Sequence, residues 1–415
     1  MLTENQRIFI SFTLFGLLNN ILYVVILSAA IDLVGASTPK GIVLLADVIP
    51  SFAFKLMAPF FIHKFPYVSR MWTILAISTS GMLLISLTPA SSKVSKIVGI
   101  AVASFSSGIG EVTFLQLTHF YHEESSIGGF STGTGAAGLL GSFLFLFMTT
   151  ILGIEVWISL LIFAIVPTGF LFTYYLILPS PDLIVDQYEP IHTDEEEQIE
   201  IQSQEQELRS SFDFEKRPWY NKAIYHVYDT FKDIKPLIRP YMLPLLLVYI
   251  SEYTINQGIA PTLLFPLDDL PHWLFGSYRD IYVVYGFVYQ LGVFISRTSI
   301  NFGIRFRQLY WMAVLQFLNV IITLYQSIYF DFPFPSVWFI IILTFYEGLL
   351  GGLSYTNTFM SVSETVPKNK REFSMGSVSL SDSAGVVIAG LLNLWLEMQL
   401  CSIQVSKGRD WCLTG

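Results

Sequence analysis

Charge is what this chain is short of. Only 13% of its 415 residues are Asp, Glu, Lys or Arg, against roughly 25% in a soluble domain. That scarcity, beside 53% hydrophobic and 15% aromatic residues, excludes a soluble globular protein and implies one solvated by lipid. A cleavable leader is also lacking: the first apolar run is too long for a signal peptide and has no basic start or small-residue cleavage site, so it is expected to remain as the first helix. Cysteine is nearly absent. Cys401 and Cys412 both follow the last apolar run, and two readings stay open: one disulfide in an oxidising compartment, or, from the closing CLTG, a prenylation box on a cytosolic tail.

What is there is a series of runs matching the roughly 20 residues that a helix needs to cross a bilayer. Six stand before a break: Phe9–Val34, Gly41–Ile62, Met71–Thr88, Lys96–Tyr121, Gly129–Gly153 and Val156–Leu178. Five follow it: Tyr241–Phe265, Ile281–Ser299, Leu309–Tyr329, Val337–Ser361 and Ser374–Leu400. The reading is an all-α polytopic membrane protein of about eleven transmembrane helices in two bundles. It divides into an N-terminal bundle over 1–178, a linker over 179–239, a C-terminal bundle over 240–400 and a short tail over 401–415. Two bundles with a long connection are the architecture of major-facilitator transporters, in which solute binds near the midplane between the halves.

The break contains HTDEEEQIEIQSQEQELRSS, and residues Pro179–Pro236 hold 14 acidic residues against 6 basic ones. This is the composition of a solvated, mostly disordered tether, and it supplies nearly all of the chain's net charge of −9. A docking role for trafficking proteins is the other reading of the same run. If the N-terminus is cytosolic, 16 of the 23 Lys and Arg residues fall on cytosolic loops, which favours that orientation and puts the tail outside the cytosol.

Ionisable and amide side chains within the spans are functional candidates by default. Glu111 shares a helix face with Ser104 and Ser107, and reads as a proton carrier or as a neutral carboxyl bonded to neighbouring helices. Glu252 and Asn256 lie one turn apart in YISEYTINQGIAPTLLFP, where Pro261 predicts a broken helix; exposed backbone at that depth is tolerated only against protein or a water-filled cavity. Glu347 forms a stripe with Gly351, Ser354 and Thr358, and Asp382 with Ala389 and Asn393. Lys55 shares its face with Asp47 and Ser51, which permits an ion pair within one helix. Arg297 either snorkels to the interface or meets an anion. The adjacent amides Asn19 and Asn20 point about 100° apart, so one can join helices while the other meets solute. The glycines of GGFSTGTGAAGLLG open an apolar span with no strand before it, so they read as helix packing rather than a phosphate loop. No metal, cofactor or nucleic-acid motif and no hydrolase or kinase motif is found, so the expected partners are a small charged solute, protons and lipid.

The long motifs FGLLNNILYVVILSAAIDLVG, GIVLLADVIPSFAFKLMAPF, SSGIGEVTFLQLTHFY, YISEYTINQGIAPTLLFP, YQLGVFISRTS, YEGLLGGLSYTNTF and REFSMGSVSLSDSAGVVIAG resemble the battenin family over nearly every span, most nearly its fungal vacuolar branch. The resemblance implies a facilitator-type protein of the vacuolar or lysosomal membrane. It further implies a part in vacuolar pH homeostasis and basic amino-acid transport or, as in animal members, export of glycerophosphodiesters. The sequence departs from animal members in its tail, which ends in Gly, and its sorting patterns are short: YEPI at Tyr188 and DIKPLI at Asp233.

Overall fold

Thr3 opens the first helix by a reciprocal cap: its hydroxyl accepts from the Gln6 N–H, and the Gln6 side chain accepts from the Thr3 N–H. The structure is a computed structural model, and it describes residues 3–29, 33, 40–89, 92–180, 219–272, 274–330 and 336–413. The helices of the first half are α1 (Glu4–Ser28), α2 (Lys40–Phe61), α3 (Tyr67–Leu87), α4 (Lys93–Leu117), α5 (Glu123–Leu146), α6 (Val156–Phe163) and α7 (Thr168–Phe172). Pro167 separates the last two within the single expected span, which the structure gives as Val156–Ile177; a proline cannot donate to the helical ladder. After α8 (Trp219–Leu237), the second half holds α9 (Leu243–Thr254), α10 (Tyr278–Thr298), α11 (Leu309–Ile328), α12 (Val337–Thr365), α13 (Lys368–Val378) and α14 (Leu380–Ser406).

Among the described residues, ten helical stretches are long and apolar enough to cross a membrane. Helix α10 is more polar and is not one of the ten, although its 21 residues pack between α5 and α12 where an eleventh crossing was expected. Bulky residues such as Trp72, Trp157, Trp311, Ile342 and Trp395 face outward, as lipid-facing side chains do.

Small residues set the closest contacts. In the first half α1 lies on α5, where a Cβ at Gly16 would collide with the Phe130 carbonyl and one at Gly133 with the Thr13 carbonyl. In the second half α10 lies on α12 through Gly292 and Gly348 in the same way. The halves meet where α2 packs on α14 and α5 on α10 and α12. At one end they are tied by Arg371 to Glu123 and by Tyr67, whose hydroxyl donates to Glu372 at 2.6 Å.

The expected linker over 179–239 needs one correction. Residues 181–218, including the acidic run and Tyr188, lie outside the described residues, but Trp219–Leu237 is helix rather than disordered tether. Its apolar residues recur on one face: the Phe231 ring meets Phe60 of α2 at 5.8 Å, and Asp233 accepts from Lys370 of α13 at 2.9 Å.

The break predicted at Pro261 is present: α9 widens into a π turn over Ile255–Ile259, tightens into a 3-10 turn over Ala260–Thr262 and ends. Buried backbone groups freed there must find partners. Gln404 of α14 supplies one, donating to the carbonyls of Thr262 and Ser327 at 2.8 Å each. Beyond α14 the chain folds back, Cys412 is disulfide-bonded to Cys401, and Trp411 packs between Tyr278 and Phe330. Of the two readings of the cysteines, the structure takes the disulfide, which leaves Cys412 no thiol for a prenyl group.

Candidate functional site

Lys55 is 1% exposed, so its ammonium must be compensated by protein. Its Nζ donates to Glu111 Oε2 at 2.6 Å, Asp382 Oδ1 at 3.1 Å and Ser383 Oγ at 2.8 Å. One cation thus gathers α2, α4 and α14, and with α14 it reaches across the two halves. The other Glu111 oxygen accepts from the Tyr355 hydroxyl of α12 at 3.1 Å. The expected Lys55–Asp47 pair does not form. Eight residues put the two on one face but about 12 Å apart along the axis, and nearer carboxylates arrive from other helices.

Arg297 does not snorkel to the interface. Its guanidinium turns inward, where Nη1 donates to Thr134 Oγ1 of α5 at 2.5 Å and Nη2 to the Tyr249 hydroxyl of α9 at 3.1 Å. Its flat face lies 4.3 Å from the centroid of the Tyr355 ring. Among the described residues no carboxylate stands within ion-pair distance of it, and its Nε is buried without a partner. This is a cation held by neutral groups.

Between Arg297 and the carboxylates that hold Lys55 lies a cavity of about 110 Å³. Its wall includes Asn20 and Tyr23 of α1, Asp47 and Ser51 of α2, Glu111 of α4, Thr134 of α5, Tyr249 and Tyr253 of α9, Arg297 of α10, Tyr355 of α12 and Asp382 of α14. Eight helices drawn from both halves contribute, which is the placement expected of a midplane solute site.

The adjacent amides divide as their angular separation requires. Asn19 donates to the Ser107 carbonyl of α4 at 3.3 Å, with its oxygen against Gly110, which has no room for a Cβ. Asn20 donates to Gly16 within its own helix at 3.1 Å and lines the cavity.

The remaining candidates form a second cluster inside the C-terminal half, outside the cavity wall. Glu252, 3% exposed, accepts from the Tyr289 hydroxyl of α10 and lies against Gly351 of α12; its Oε2 has no partner. Asn256 does not pair with Glu252, one turn away, but donates to Glu347 Oε1 at 3.0 Å. The π turn that begins at Ile255 rotates Asn256 out of register with α9 and toward α12. On α14, Asn393 donates to the Tyr253 carbonyl at 2.8 Å rather than joining Asp382.

Several wall residues were not singled out from the sequence. Tyr249, Tyr253, Thr134 and Ser383 carry no charge and sit in spans rich in similar side chains. Tyr355 had one signal, the polar run SYTNT beside the Gly351 stripe.

The family model described as CLN3 protein matches residues 10–403. The chain belongs to the CLN3, or battenin, family. Among its relatives, Protein BTN1 of Candida albicans is 60% identical over 424 residues, covering 100% of this chain and 99% of the relative. Protein BTN1 of Saccharomyces cerevisiae is 44% identical, with 99% of each chain covered. Two solved transporters share the fold. The human organic anion transporter MFSD10 (TETRAN) gives a TM-score of 0.60 at 13% identity, covering 99% of this chain and 98% of that one. A bacterial homologue of the iron transporter ferroportin, in its outward-facing state, gives 0.60 at 12%, covering 100% and 98%. This CLN3-family chain is therefore a multi-pass membrane protein with a major-facilitator-type transporter fold.

Proposed function

We propose that this protein is an alternating-access transporter of the vacuolar membrane that moves small charged solutes, basic amino acids first among them, and so contributes to vacuolar pH homeostasis. The observation that carries the reading is the cavity wall, which presents Arg297 with neutral partners only opposite the carboxylates gathered at Lys55. A basic amino acid bears both signs. Its carboxylate suits the planar fork of Arg297, and its ammonium groups suit Glu111 and Asp382. Rocking the halves about α2–α14 and α5–α10 would open the cavity to each side in turn.

The orientation we propose places the N-terminus and the α8 end in the cytosol. The basic-residue asymmetry favours it, and so does the disulfide at the opposite end of α14, since such bonds persist in oxidising compartments.

A glycerophosphodiester is the second reading, favoured by the same Arg297, whose fork has no carboxylate partner and whose neighbouring hydroxyls also suit a phosphate. The test is uptake of labelled arginine and of glycerophosphocholine by the purified protein in liposomes, comparing Arg297→Ala, Arg297→Lys and Glu111→Gln. Arginine transport lost in all three supports the first reading. Glycerophosphocholine transport that depends on Arg297, with arginine not moved, supports the second. Uptake of neither, under any gradient, by folded protein overturns the proposal.

A further inference from the structure

Asp47 is the carboxylate on the cavity wall for which the arrangement above gives no partner. Lys55 is taken by Glu111 and Asp382, and Arg297 by Thr134 and Tyr249. Asp47 is 3% exposed, its Oδ2 has no hydrogen-bond partner, and among the described residues no Lys, Arg or His lies within ion-pair distance of it. Around it Ser104 is spent on the Asp47 backbone carbonyl and does not serve the carboxylate.

The side chain stands where two spaces meet. One is the central cavity. The other is a void of about 10 Å³ bordered by Asn19, Tyr23, Ser78, Ser104 and Ser107, room for about one water molecule. A carboxylate anion buried without a counter-charge is strongly disfavoured, so the charge at Asp47 must be met by something that enters from these spaces. A proton needs one acceptor oxygen, and the unpartnered Asp47 Oδ2 supplies it. The ionised count of the wall together with the Lys55 behind it points the same way: Lys55 and Arg297 against Glu111, Asp382 and Asp47 leaves one negative charge, which one proton cancels. A neutral wall is the state least costly to close off from water.

We infer that Asp47 is the proton-carrying residue of this transporter. Its Oδ2 accepts a proton from water in the cavity while that space is open to the acidic side, and returns it to water when the space opens to the other. The inference rests on the reading of the cavity as the transport path. The charged and titratable groups sharing its wall are Tyr23 on α1, Glu111 on α4, Tyr249 and Tyr253 on α9, Arg297 on α10, Tyr355 on α12 and Asp382 on α14, with Lys55 of α2 behind the wall, bonded to Glu111 and Asp382. Of the acids among them, Glu111 and Asp382 are already committed to Lys55.

The test uses the full chain in liposomes on a solid-supported membrane, with the proton itself as the probe. An acid step of the bath should produce a charge transient that Asp47→Glu retains and Asp47→Asn loses, down to the level of protein-free liposomes. A sodium step at constant pH should give none. The Asp47→Asn protein is compared with the parent by size-exclusion profile and thermal melt, and the retained Asp47→Glu signal separates loss of the proton site from loss of the fold. The inference is overturned by a transient that survives Asp47→Asn, by one lost instead in Glu252→Gln, by a transient driven by sodium, or by none in the parent protein. Solute uptake measured in parallel separates the two readings. A transient lost in Asp47→Asn without arginine or glycerophosphocholine uptake sustains the proton site and refutes the solute assignment; uptake with unchanged pH dependence in Asp47→Asn does the reverse.

Discussion

The guanidinium of Arg297 lies 4.3 Å from the ring centroid of Tyr355, and the hydroxyl of that same tyrosine donates to Glu111 at 3.1 Å. One side chain of α12 therefore touches a cation of its own half with its face and a carboxylate of the other half with its edge. The lysine-centred and arginine-centred groups are one connected wall.

Tyr355→Phe keeps the ring and removes the hydroxyl bond, whose worth to a charged partner is about 1.5–3 kcal/mol. Initial uptake rates in liposomes are expected to fall by about tenfold or more, since 1.4 kcal/mol is about a factor of ten. Tyr355→Leu, which also removes the cation–π contact worth about 0.5–2 kcal/mol, should fall further. Equal rates in the two variants would show that the ring face does nothing for Arg297.

Lys55→Met leaves Glu111 and Asp382 facing each other without their cation. Breaking a buried pair of this kind costs about 3–5 kcal/mol, so the melting temperature in detergent should drop by several degrees. Adding Glu111→Gln and Asp382→Asn should recover most of the loss, although transport stays abolished. A triple variant no more stable than Lys55→Met would mean that Lys55 is held by packing rather than by charge.

The two amides should separate stability from activity. Asn19→Ala removes a bond between α1 and α4 worth about 1 kcal/mol and should lower the melting temperature with transport in proportion to folded protein. Asn20→Ala gives up only an intrahelical bond and a place on the cavity wall, so its melt should be unchanged while uptake falls. The opposite pattern would exchange their assigned roles.

Arg371→Ala combined with Glu372→Ala removes the contacts with Glu123 and Tyr67 that hold the halves together at the end bearing α8. The cavity should then open toward that end more often. With the native cysteines paired, a Ser51→Cys reporter can be labelled by an impermeant maleimide, and faster labelling from the α8 side is expected. Unchanged labelling would mean that these contacts do not govern access.

Much of the fold was legible because lipid imposes one rule on every span: a long apolar run, satisfied within itself. The acidic average of the linker hid α8, since Val227, Phe231 and Leu237 recur at helical spacing inside a segment dominated by charge. At the site, residue types were legible but pairings were not. Periodicity along one helix suggested Asp47 for Lys55, while the true partners lie 56 and 327 residues away. Glu252 and Asn256 lie one turn apart on a regular helix, and the π turn at Ile255 breaks that regularity. Cavity residues such as Thr134 and Tyr249 are defined by where eight helices converge, which local spacing does not encode.

Gln404 gives the broken end of α9 a mechanical meaning. Its amide holds two carbonyls, from Thr262 and from Ser327 at the end of α11, and so bolts α9, α11 and α14 together where the first of them stops. The interruption is a fixed corner and not a joint. Under the proposed alternating access, force applied to α14 would pass through that corner to its neighbours, so the C-terminal half would tilt as a single block and the compliance would lie in the seam between the halves.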